Sequence, residues 1–244
     1  MKGILRFAQN DKQSAQNDSG ETFFNKLLAP RYAEGGGRGD SMRLVSHNSA
    51  AFLVFPETPE YPRLTREILD EIEALLERIR REPVFQGVVI AANSISWPTG
   101  AEIAEVSRFS GVGAREFAER GQSLFGKIAC FPLPIVAAVR GFCLGGGFDL
   151  ALSCLARVAS LDASFGCPGV AVGLITGWGG TWRLPRLIGK SQALEIMLTA
   201  ERVPATQALT SGLVDEVVPG RELWDAAARW VEELSARRSG SLAH

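Results

Sequence analysis

Apolar positions along this chain follow two periods. In TREILDEIEALLERIRRE (Thr65–Glu82), Ile68, Leu69, Ile72, Leu75, Leu76 and Ile79 recur at helical spacing and mark one buried face. AFLVF (Ala51–Phe55) and GVVIAA (Gly87–Ala92) are instead short unbroken apolar runs, as expected of buried strands. REFAERGQSLFGKI (Arg115–Ile128) returns to helical spacing through Phe117, Leu124, Phe125 and Ile128, and PIVAAV (Pro134–Val139) is again a strand. A helix is expected from Gly145, short strands at RVAS and SFG, and helices at SQALEIMLT, ATQALTSG and RELWDAAARWVEEL, with the strand LVDEVV between the last two. Strands alternating with helices predict an α/β domain.

Residues 1–42 stand apart from this regularity. AQND occurs twice, at Ala8–Asp11 and Ala15–Asp18, and a Gly-rich EGGGRGD follows at Glu34–Asp40. A polar segment without apolar periodicity cannot bury enough surface to order itself, so 1–42 is expected to be a disordered extension. It has no apolar h-region and carries Asp11, Asp18, Glu21 and Glu34, which speaks against secretory and mitochondrial signals. The RGD triplet is read as incidental.

Composition narrows the chemistry. The chain has 244 residues, 46% hydrophobic and 22% charged, with a net charge of −1. That balance gives no sign of a nucleic-acid partner, and no stretch has transmembrane length. Cys130, Cys143, Cys154 and Cys167 show no CxxC spacing and lie in apolar surroundings, as expected of reduced core cysteines in a cytoplasmic protein. The two histidines, His47 and His244, leave little for Ser-His-Asp catalysis or a His-rich metal site, and no metal is expected.

The candidate chemistry lies in GFCLGGGFDLALSC (Gly141–Cys154), where three glycines precede an apolar run holding one acid, Asp149. A glycine turn that opens a helix exposes N–H groups without intrahelical partners, and these suit a phosphate or a developing oxyanion. A P-loop ending at GKS (Gly189–Ser191) fails, because its first glycine would fall on Leu184, and no GxGxxG follows an early strand. A purely structural use of the glycines, for a tight turn and close packing, also fits. PTGAEIAEV (Pro98–Val106) is a second glycine turn before a helix, so Ala101 and Gly146 could offer one N–H each to the same oxygen.

At this point the sequence resembles the enoyl-CoA hydratase/isomerase (crotonase) superfamily. PIVAAVRGFCLGGGFDLALSCLARVAS and SFGCPGVAVGLITGWGGTWRLPRLIGKSQALEIMLTAERVPATQALTSGLVDEVVP carry the resemblance, which extends from about Ala51 to the C-terminus. It implies an α/β fold, the crotonase-like spiral of ββα repeats with a short helical C-terminal segment, divided as core 43–190 and C-terminal segment 191–244. It implies an acyl-CoA thioester as substrate, an oxyanion hole at the Ala101 and Gly146 N–H groups, and no separate cofactor, coenzyme A being part of the substrate. The resemblance places Asp149 where hydratases of the family carry one glutamate, and Gly169 where they carry the second. Leu155 stands at a position commonly aspartate.

The leading expectation is an enoyl-CoA hydratase-like lyase of fatty acid metabolism, with Asp149 catalytic. The alternatives are a single-carboxylate isomerase or decarboxylase, and a non-catalytic acyl-CoA binder. Glu102 and Glu105 are candidate substitute acids. Trp97 and Trp178 are candidate acyl-pocket residues, and Arg183, Arg186 and Lys190 a candidate site for CoA phosphates. The resemblance also implies a homotrimer or hexamer, weakened here by a C-terminus that reads as short.

Overall fold

The computed structural model describes residues 41–58 and 61–241, with the side chains of 239–241 left undescribed. The disorder expected for the N-terminal extension therefore lies outside the described residues, apart from Ser41 and Met42. Met42 is already packed into the structure: its side chain is buried and its N–H donates to Glu71 Oε2 at 2.7 Å.

A six-stranded sheet forms the centre. Its strands are β1 (Arg43–His47), β2 (Ala50–Val54), β3 (Gly87–Ala91), β4 (Ile135–Val139), β6 (Ala156–Ser160) and β9 (Glu216–Val218), in the order β1-β2-β3-β4-β6-β9. β1 pairs antiparallel with β2, and the other pairs are parallel. β2, β3, β4 and β6 are buried along their whole length; β2, β3 and β4 therefore read as unbroken apolar runs, whereas β6 (ARVAS) also buries Arg157 and Ser160. Side chains alternate between two cores. Ala51, Leu53, Val88, Ile90 and Ala137 join the core built around α1 (Arg66–Arg81) and α3 (Gly111–Ala129). Phe52, Val54, Val89, Val136 and Val158 lie under Trp224, Ala227 and Val231 of the C-terminal helix α8 (Leu223–Ser241).

α1 begins at Thr65, whose hydroxyl accepts from the Ile68 N–H at 3.3 Å, and buries Ile68, Leu69, Ile72, Leu76 and Ile79. A small second sheet, β5 (Phe142–Leu144), β7 (Ser164–Gly166) and β8 (Val203–Pro204), takes the chain as it leaves β4 and β6. Two successive units thus run large-sheet strand, small-sheet strand, helix. The first is β4-β5-α4, with α4 at Gly146–Ser153, and the second is β6-β7-α5, with α5 at Gly180–Ile188. A four-residue helix, α2 (Ile103–Val106), follows the first glycine turn, and α6 (Lys190–Thr199) and α7 (Ala205–Thr210) precede β9.

Buried Arg157 pins β6 to the segment before β9. Its guanidinium donates to Leu213 O (2.8 Å), Cys154 O (2.9 Å) and Asp215 Oδ2 (3.1 Å). The thiols of Cys143, Cys154 and Cys167 are buried, and burial pushes the last two up to about 12, so they stay protonated. Cys130 departs from the expectation of a core cysteine. It caps the end of α3 and is exposed, because the apolar face of that helix ends at Ile128.

Candidate active site

Two glycine turns meet at the start of α4. Gly100, at φ +100°, packs so closely on the second turn that a Cβ there would sit 2.9 Å from the Gly146 nitrogen. Gly147 faces the carbonyl of Pro98, and a Cβ on it would overlap that oxygen. The indole N–H of Trp97 donates to Gly147 O at 2.7 Å and ties the turns from behind. Among the described residues, neither the Ala101 nor the Gly146 N–H donates a hydrogen bond within the protein, and both residues keep partial exposure. The structure therefore brings Ala101 and Gly146 to one place. Trp97 is 0% exposed and packs edge-on to Phe55, so it supports the turns from the core and lines no open surface.

Asp149 lies one turn into α4 and is 0% exposed. Its Oδ2 accepts from the Thr176 hydroxyl and from the Trp178 N–H, the latter at 2.8 Å. Oδ1 is buried against Gly180 without a hydrogen-bond partner. Burial raises the pKa from 3.8 to about 6, and the Thr176 hydroxyl, the Trp178 N–H and the Arg183 charge hold it from going higher. The Gly180 N–H also lowers it electrostatically, without reaching hydrogen-bond geometry. The acid thus both titrates near neutrality and clamps the loop that leads into α5.

Trp178 is the second tryptophan at the site. Its indole is 4% exposed and lies between α3 and the start of α4, in edge contact with Phe117 (5.1 Å) and Phe125 (5.5 Å). A Cβ on Gly146 would meet the ring at 2.5–2.6 Å, and one on Gly121 would fall well inside van der Waals contact.

The remaining candidates are spread out. Gly169 sits in a 3-10 turn (Pro168–Val172), where a Cβ would lie 3.1 Å from Leu174 O. Glu102 and Glu105 are partly exposed and form ion pairs with Arg63 (3.6 Å) and Arg66 (3.7 Å). Leu155 is 56% exposed between α4 and β6. Arg183 is occupied inside the protein: it donates to Trp178 O at 3.0 Å and Phe125 O at 3.2 Å. Arg186 lies over the Trp182 ring at 4.2 Å, and Lys190 is exposed. Sequence reasoning missed Thr176 and Gly121. The available signal was a tryptophan flanked by glycines in TGWGG, which marks a large ring held close to backbone. A separate concavity of ≈ 300 Å³ opens between α6 and α7, lined by Gln192, Glu195, Thr199, Arg202 and Gln207, and contains none of these groups.

The ββα spiral and paired glycine turns define a protein of the crotonase fold. The family model described as enoyl-CoA hydratase/isomerase matches residues 57–243, so the chain belongs to that family. Among solved structures, it is similar to an enoyl-CoA hydratase from Bacillus anthracis, with 28% identity over 80% of this chain and 76% of that one and a TM-score of 0.75. DspI from Pseudomonas aeruginosa is 29% identical over 84% of each chain, with a TM-score of 0.76. An enoyl-CoA hydratase from Thermoplasma volcanium is 25% identical over 79% of this chain and 78% of that one, with a TM-score of 0.75. Family membership supports an acyl-CoA-processing enzyme. No helix among the described residues is long and apolar enough to cross a membrane.

Proposed function

We propose that the protein forms an enolate from an acyl-CoA thioester and moves one proton at a time through Asp149. The observation that carries this reading is the meeting of the two turns with the Ala101 and Gly146 N–H groups unused. A thioester oxygen seated there accepts both, and the donors strengthen as negative charge develops on it. Asp149 takes the Cα proton while the electron pair passes to the oxygen. The proton then returns to Cα, giving exchange, or to Cγ of an enoyl group, giving a shifted double bond. A carboxylate with a pKa of about 6 is ionised at neutral pH and close enough to it to return the proton. Hydration needs a second group to activate water, and Gly169 supplies no side chain for it. Coenzyme A enters as part of the substrate, and the chemistry calls on no separate cofactor.

The test is butyryl-CoA in D₂O, followed by NMR, beside crotonyl-CoA hydration. Exchange at Cα should proceed at least a hundredfold faster than hydration. Hydration at the higher rate, or no exchange, overturns the reading. A second reading, a thioester binder without turnover, is favoured by the sealed position of Asp149 and its two hydrogen bonds. Tight butyryl-CoA binding with no exchange would establish it.

Gly169 does not have a positive φ, and its neighbour Leu174 O needs to give by only a few tenths of an ångström. Gly169→Glu should therefore fold and raise crotonyl-CoA hydration, by about a hundredfold if the new carboxylate reaches the water. A steady-state hydration assay checks it.

A further inference from the structure

The geometry points to Trp178 as a fixed wall that keeps the acyl group short, an inference that rests on the thioester reading above. The two turns are open to solvent at Ala101, Gly145 and Gly146, where a thioester would enter. Behind them the space is taken by the indole of Trp178. Its six-membered ring lies against the Cα of Gly146, and its five-membered ring lies against Gly121 in the middle of α3. Both neighbours are glycines, and each would collide with the ring if it carried a Cβ. Glycine is a poor residue for the interior of a 19-residue helix, so Gly121 reads as room made for the indole. An acyl chain leading inward from an oxygen at the Gly146 N–H meets the ring almost at once.

Three anchors make this a wall and not a moving lid. The Trp178 N–H donates to Asp149 Oδ2 at 2.8 Å, its carbonyl accepts from Arg183 Nη1 at 3.0 Å, and its indole N–H donates to Phe117 O at 3.2 Å. Phe117 and Phe125 hold the ring on its edges. Swinging the indole away would break the ring N–H bond and the aromatic contacts together. The same residue that fills the acyl space also fixes the acid, so chain length and the position of the carboxylate are set by one side chain.

The test is calorimetric titration of the purified full chain with free coenzyme A and with acetyl-, butyryl-, hexanoyl- and octanoyl-CoA. The variants are Trp178→Ala and the milder Trp178→Leu. Wild type should bind butyryl-CoA more tightly than free coenzyme A and gain nothing from butyryl- to octanoyl-CoA. Trp178→Ala should gain roughly fourfold per added methylene until the vacated space is filled, because each buried methylene is worth about that factor. Trp178→Leu should gain over fewer carbons. If wild type gains steadily from butyryl- to octanoyl-CoA, the wall is wrong, and that holds even if neither variant folds. A flat series in folded variants overturns it as well. Butyryl-CoA binding no tighter than free coenzyme A overturns the thioester reading itself, and the wall with it.

Discussion

Asp149→Asn should lower Cα proton exchange by about a hundredfold to ten-thousandfold while leaving butyryl-CoA affinity within a few fold. The amide keeps the shape of the carboxylate, and its oxygen still accepts from the Thr176 hydroxyl and the Trp178 N–H, so the loop into α5 stays in place. Binding rests on backbone N–H groups that the substitution does not touch. Exchange retained within about threefold would remove Asp149 from the chemistry and turn attention to Glu102 or Glu105.

The pH dependence carries a second signature of the same residue. Its folded-state pKa, about 6, lies above its ordinary 3.8, so between these values the folded protein holds a proton that the unfolded chain has lost. Stability from this group is fully present below pH 3.8 and is lost as pH rises through about 6. The difference of about two units corresponds to roughly 3 kcal/mol. Asp149→Asn is free of this term. Urea unfolding at pH 3.5 and pH 7 should show the variant gaining about that much relative to wild type as pH rises. A constant difference between the two proteins would show that the acid is not desolvated in the native state. Exchange in wild type should rise with pH through an apparent pKa near 6 and level off above it, as expected for a base that works ionised.

How far the sequence reveals this site depends on which interactions are local. The α1 face was legible because a period of 3.6 residues places Ile68, Ile72 and Ile79 on one side whatever they pack against. β2, β3 and β4 were legible because burial on both faces leaves only apolar residues. β1 was not: RLVSH mixes polar and apolar residues, and as an edge strand it is half-buried along its length. α5 was hidden by Pro185, which sits within the helix where a proline ordinarily argues for its end. The glycine turns were legible as punctuation, but their meeting depends on contacts some fifty residues apart, such as the hydrogen bond from Trp97 to Gly147. Arg183 shows the reverse error. By sequence it is a cation near a candidate phosphate site, yet in the fold its guanidinium caps two carbonyls.

Gly147→Ala should cost about 3 kcal/mol or more and abolish thioester binding, the largest effect expected of any single methyl group here. The three consecutive glycines are each required for a different reason. Gly145 adopts φ +52° and ψ −122°, a conformation that side chains resist even though a Cβ there would make only an ordinary contact, 3.8 Å from Thr99 O. Gly146 has ordinary helical backbone, and only the Trp178 ring excludes a Cβ. Gly147 has no such freedom. Its Cβ would overlap Pro98 O and lie 2.7 Å from Pro98 C, so the chain must move the whole Pro98–Gly100 turn to make room. That movement pulls the Ala101 N–H away from the Gly146 N–H and breaks the Trp97 bond to Gly147 O. A double-mutant cycle separates the cases. Gly146→Ala should cost about 1–3 kcal/mol alone, and most of that should be recovered, by about 0.5–3 kcal/mol of coupling, when Trp178→Leu removes the ring. Gly147→Ala should show no such recovery, because its obstacle is backbone. Urea unfolding of the three single and two double variants measures both couplings. Equal coupling of Gly146 and Gly147 to Trp178 would mean that the indole does not lie against Gly146 alone, and the wall and the pairing of the turns would both need to be redrawn.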